Sequence, residues 1–139
     1  RVDGGVMLPL LALIGCPVGS ADKSPTDCPV EGEDPYVELV APLEGAVVCG
    51  TPLRVEVCVA NIVLVPPSDP EDAEPGTGHV DIQLNGQDAS MVWETETDIS
   101  DVSDGEWQLK VELSYADHTP VQPYAGDLAY VTVDATECP

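Results

Sequence analysis

Trp107, Leu109, Val111, Leu113 and Tyr115 occupy every second position of one stretch, interleaved with Glu106, Gln108, Lys110, Glu112 and Ser114. Strict alternation of this kind puts one set of side chains in a core and the other in water, which only a strand achieves; on a helix the same positions would scatter around the axis. The stretch therefore predicts a long β-strand over 106–115, and the other apolar runs have to supply its partners. Aromatic residues make up 4 % of the chain and Phe is absent, so that core is aliphatic, built from Val, Leu, Ile and Ala. Fourteen Pro and twelve Gly favour many turns over long helices.

The partners are legible. Tyr36–Ala41 reads as a first strand, broken at Pro42 and Gly45 and resumed over Ala46–Cys49. In Leu53–Ala60, Leu53, Val55, Val57 and Val59 share one face, and Arg54, Glu56 and Cys58 take the other. Ile62–Val65 is continuously apolar, either a buried strand or the end of a bent one. Residues 66–78 form an acidic, Pro-rich loop before His79–Leu84, where Val80, Ile82 and Leu84 oppose His79, Asp81 and Gln83. Asn85-Gly86 follows, a pair that tolerates positive φ at both positions and so predicts a two-residue hairpin. Gln87–Trp93 returns, Glu94–Ile99 reads as an edge strand and Leu128–Val133 as the last. Seven or eight short strands with no helical segment predict an all-β, immunoglobulin-like antiparallel sandwich over 36–139.

Ahead of it, the apolar run from Val6 ends in Leu13-Ile14-Gly15-Cys16. This resembles the lipobox of bacterial lipoproteins, in which the cysteine is acylated and the chain is cut just before it. The resemblance implies that 1–15 is a signal-like segment, that Cys16 is the lipidation site, and that the membrane is a partner through that lipid. The apolar run is shorter than the roughly 20 residues a bilayer span needs and suits a signal-peptide core. Residues 16–35 are small, acidic and Pro-rich, the composition of an extended or disordered tether. A different reading makes Val6, Leu8, Leu10, Ala12 and Ile14 the apolar face of a donor strand inserted into a neighbouring subunit of an extracellular fibre.

The formal charge is −22, from 26 acidic and 4 basic side chains. Such a surface repels phosphate backbones, which excludes nucleic-acid binding, and it repels anionic headgroups, so attachment to a membrane falls to the lipid. Five cysteines are an odd set. With Cys16 acylated, Cys28, Cys49, Cys58 and Cys138 remain, enough for two disulfides in an oxidising compartment and open to three pairings.

Gly78-His79-Val80-Asp81, with Pro42-Leu43-Glu44-Gly45-Ala46-Val47-Val48 before it and Asp117-His118 after it, resembles a group of small exported bacterial immunoglobulin-like domains. Those carry Gly-His-x-His on a middle strand; here Asp81 stands at the second His. The group's function is largely uncharacterised, so the resemblance implies fold and location rather than activity. In an immunoglobulin-like order the second half of the first strand lies parallel to the last strand, which implies Cys49–Cys138 and leaves Cys28–Cys58.

Two constellations bear on chemistry. His79 and Asp81 share a strand face, and a fold-back of the loop after Tyr115 would add His118 and Asp117, a donor set for zinc or copper. The only cofactor so implied is a divalent metal at His79, Asp81 and His118. The acidic segments Asp69–Glu74 and Asp98–Glu106 are oxygen-rich, but Asp98, Asp101 and Asp104 recur every third residue, unlike a calcium-binding helix–loop–helix, and read as solvated turns. No Gly-x-Ser-x-Gly elbow, phosphate loop or Cys-x-x-Cys pair is present. The expectation is a non-enzymatic module of a bacterial outer membrane, periplasm or cell surface that binds or spaces, with a protein partner or self-assembly.

Overall fold

The computed structural model describes Cys28 and residues 30–139; the readings for Val6–Ile14 and for Cys16 lie outside those residues. Among the described residues nine strands follow in order: β1 (Tyr36–Ala41), β2 (Val47–Val48), β3 (Leu53–Ala60), β4 (Val63–Leu64), β5 (Thr77–Leu84), β6 (Gln87–Val92), β7 (Glu96–Ile99), β8 (Gly105–Tyr115) and β9 (Gly126–Val133). They form two sheets. The smaller has the order β1-β3-β7, and the larger runs β2-β9-β8-β5, with β4 and β6 both paired to the outer side of β5. The first strand's two halves sit in different sheets, and β2 lies parallel to β9 with Val47 beside Thr132 and Val48 beside Val133. This is the arrangement of an immunoglobulin-like sandwich.

The alternation explains the layering. Leu109, Val111 and Leu113 of β8 are fully buried, and so are Val80 and Ile82 of β5, whose register sets Val80 against Leu113 and Ile82 against Val111. Ala129, Val131 and Val133 complete the large sheet's inner face, and Val37, Leu39, Leu53, Val55 and Val57 supply the small sheet's. At roughly 25 cal/mol per Å² of apolar surface removed from water, such aliphatic layers are the main favourable term in folding. Val102, Val121 and Ala125 plug the ends from loops. The Asn85-Gly86 hairpin joins β5 to β6 with φ of 53° and 82°, the left-handed values that residue pair accommodates.

Two details depart from expectation. Ile62–Val65 yields only the two-residue β4, and Val63 is 63 % exposed, because the segment pairs along the first two residues of β5 and no sheet among the described residues lies over it. Cys58, on the polar side of β3 by parity, is fully buried, since its sulfur is bonded to Cys28 against that face.

The two ends of the sandwich differ. Tyr36 pairs with Ala60, so the chain enters where β3 finishes, and there Cys28 bonds Cys58. At the other pole, past β2 and β9, Cys49 bonds Cys138. The hydroxyl of Thr51 lies 3.4 Å from the Cys138 sulfur in the adjoining turn. Gly50 sits in that turn because a Cβ there would overlap the Val102 carbonyl oxygen and the Val133 side chain.

Candidate functional site

His79 opens the exposed-parity side of β5, directly across from Ser114 of β8, yet it is completely buried. The sheet end is roofed by two loops. The Val65 N–H donates to the Gly78 carbonyl at 2.9 Å, the Ala116 N–H to the Thr77 carbonyl at 3.0 Å, and the Ser68 N–H to the Ala116 carbonyl at 3.5 Å. The His118 ring, carried on that roof at a left-handed φ of 74°, lies 5.2 Å from the His79 ring at an interplanar angle of 58°. Gly78 makes the close approach feasible: a Cβ there would overlap the Ser114 carbonyl oxygen and come within 2.8 Å of the Ile62 side chain.

Asp81 is the neighbour on the same face. Its Oδ1 lies 3.3 Å from His79 Nε2, and its Oδ2 accepts a hydrogen bond from the Ser114 hydroxyl at 2.6 Å. The His79–Asp81 contact is close but poorly aligned, and neither His79 nitrogen has a hydrogen-bond partner among the described residues. An imidazole in this position stays neutral: burial holds its pKa below the ordinary value, against the pull of Asp81 upward and with His118 adding to the depression. Asp117 turns away from the pair. Its Oδ1 accepts from the Thr119 hydroxyl at 2.6 Å and the Thr119 N–H at 3.0 Å, and these bonds hold its carboxyl below the usual range.

The structure thus brings His79, Asp81 and His118 to one place and leaves Asp117 as a turn cap. Among the described residues no three His, Cys, Asp or Glu side chains converge as a ready metal cluster. An ion at His79, Asp81 and His118 therefore requires these side chains to rearrange. In the acidic segment that begins within β7, Asp98 is engaged at 3.1 Å by Arg54, which also holds Glu96 at 2.8 Å.

Below His118 a cleft of about 440 Å³ runs over the outer face of the large sheet, lined by Asp81, Gln83, Asp88, Met91 and Glu112 among others. Asp81 and Glu112 are direct cross-strand partners, an unfavourable pairing of like charges that Ser114 and Tyr124 relieve; the Tyr124 hydroxyl donates to Glu112 at 3.0 Å. Sequence reasoning gives Ser114, Glu112 and Tyr124 no place in a site. The signal for Ser114 is its position one strand over from His79, visible once the β5–β8 register is set.

The neutral, buried His79 has a consequence for pH. Its folded pKa lies below the unfolded 6.5, so the unfolded chain takes up a proton that the fold refuses. The stability tied to His79 is complete above pH 6.5 and is lost as pH falls from there towards the folded pKa. Chemical denaturation at pH 7.5 and 5.5 therefore shows a drop for the wild type that is smaller in His79→Phe. Equal drops in the two proteins would contradict the assignment.

No family model matches the chain, and no curated protein matches it. Among solved structures, the fibronectin(III)-like modules of CbhA from Clostridium thermocellum are 21 % identical with a TM-score of 0.49, covering 74 % of this chain and 48 % of theirs. The chain thus spans about half the length of that protein's solved chain. The PKD domain of human KIAA0319 is 15 % identical with a TM-score of 0.44, covering 81 % of this chain and 92 % of its own. Both are likenesses of fold at low identity.

Proposed function

We propose that this chain is an exported, non-enzymatic β-sandwich module, held at a bacterial envelope by lipid on Cys16 and acting as a spacer. The observation that supports spacing is the placement of the two disulfides. One fastens the entering chain at one pole and the other fastens the C-terminal segment at the opposite pole. Two disulfides also belong to an oxidising compartment, and the acidic surface keeps such a module from lying down on anionic headgroups. Expressed in a bacterial host, the wild type then fractionates with membranes and Cys16→Ser moves to the soluble exported fraction. A serine variant that stays with the membranes defeats the anchoring.

A second reading, metal handling, is favoured by the two unpartnered nitrogens of His79 beside Asp81 and His118. Zinc titrated into the wild type would then release heat at one site, and His118→Ala would lose it. Absence of heat with the wild type discards this reading.

A further inference from the structure

The two disulfides do more together than each does alone. Consider tension applied between the tether and the C-terminal segment. Along the backbone, the route from Cys28 to Cys138 passes through every strand of both sheets. The bonds Cys28–Cys58 and Cys49–Cys138 open a shorter covalent route: across the first bond to Cys58, back along β3 to Cys49, and across the second bond to Cys138. Only nine residue steps separate Cys49 from Cys58, and most of them are already extended as β3. We infer that this domain functions as an inextensible tension link, with β3 as its covalent rod and every other strand outside the load path.

A fully extended chain spans at most about 3.3–3.6 Å per residue, so the nine steps reach roughly 30–32 Å. The Cα–Cα spans of the bonds, 5.5 and 4.7 Å, bring the taut route to about 40 Å. The eleven residues of β8 span roughly 35 Å from pole to pole, so rupture of the fold lengthens the molecule little. Without the bonds, the backbone route from Cys28 to Cys138, about 110 residues at the same rise, extends to roughly 360–400 Å. Each bond alone leaves a distinct intermediate. With only Cys49–Cys138, the route is the roughly 21 residue steps from Cys28 to Cys49, about 75 Å plus the bond. With only Cys28–Cys58, it is the roughly 80 steps from Cys58 to Cys138, about 265–290 Å.

Connectivity also sets where the rod sits. β3 is the central strand of the small sheet, flanked by β1 and β7. Load therefore passes through the strand supported on both sides, while the roof over His79 and the cleft beside Glu112 are carried by strands that bear none. This inference deepens the spacer reading and rests on its placement of the entering chain and the C-terminal segment at opposite poles. The load path itself does not depend on lipid at Cys16.

The test is single-molecule stretching of the full chain, with handles at its two ends and Cys16→Ser to remove the odd thiol. Under oxidising conditions the protein yields no lengthening step beyond about 20 Å at forces that unfold ordinary sandwiches, because the taut route hardly exceeds the folded length. After reduction the same molecules show a step of roughly 300 Å or more, the folded length subtracted from the full extended route. The paired variant Cys28→Ser/Cys58→Ser, in oxidising buffer, limits the step to a few tens of Å. Its counterpart Cys49→Ser/Cys138→Ser gives a step of about 200 Å or more. A step of hundreds of Å in the oxidised wild type, or equal steps in the two paired variants, overturns the inference. Loss of the membrane anchor in the fractionation experiment, with these lengths intact, would instead remove the anchoring and leave the tension link standing.

Discussion

Replacing Cys49 and Cys138 together by serine is expected to lower the unfolding free energy by about 4–5 kcal/mol and the melting temperature by on the order of 20 °C. The bond closes a separation of 89 residues, and in the chain-entropy account longer loops restrain the unfolded state more. The Cys28–Cys58 bond, with a separation of 30, is worth about 3–4 kcal/mol on the same scale. Denaturant titrations of the two paired variants therefore rank them, with the Cys49/Cys138 variant the weaker. Both sulfurs of that pair lie beside the Thr51 turn near the surface, so serine there meets water and little packing is lost. A loss below about 1 kcal/mol for the long bond would contradict the entropic account and favour a pre-collapsed unfolded state.

Gly78→Ala is the second large effect, with an expected loss of at least about 3 kcal/mol. The added methyl would overlap the Ser114 carbonyl oxygen, which is backbone in the β8 ladder and has no freedom to swing aside. Separating β5 from β8 at that point also opens the roof over His79, so the variant exposes a ring that the wild type hides. Gly76→Ala is the informative control. Its Cβ meets nothing within 4 Å, and its φ of 80° costs only the left-handed penalty of roughly 1–2 kcal/mol. Similar losses for the two variants, by chemical denaturation, would mean that close approach is not what Gly78 provides.

Much of the fold is legible because β-period alternation is a direct consequence of burial. Leu109, Val111 and Leu113 announce their strand by spacing alone, and Asn85-Gly86 announces its hairpin by the backbone angles it tolerates. Pairing of the cysteines is less legible. Cys49 meets Cys138 because β2 runs parallel to β9, a relation between segments far apart in sequence, and spacing alone leaves three pairings open. The immunoglobulin-like order, not any local pattern, carries that information.

The candidate site shows where parity stops. His79, Asp81 and Gln83 share the outward face of β5, and for Gln83 outward means partly exposed. His79 is outward and buried, because loops from 65–68 and 116–119 fold over the strand's first residues. Loop placement depends on contacts between segments that have no periodicity of their own, so the burial is invisible in the local pattern. One signal was present: a glycine within a strand, Gly78, marks close approach of a second backbone. The same loops explain why Asp117, two residues past Tyr115, caps Thr119 in place of joining Asp81.

Intact mass of the protein purified from its own membranes decides whether lipid on Cys16 holds it there. A lipid-anchored module starts at Cys16, is heavier by several acyl groups, and is lighter by four hydrogen atoms than its reduced form. A chain that starts at Arg1 without acyl groups would contradict it, and would make the apolar stretch Val6–Ile14 a working part of the molecule, as a donor strand in a fibre requires.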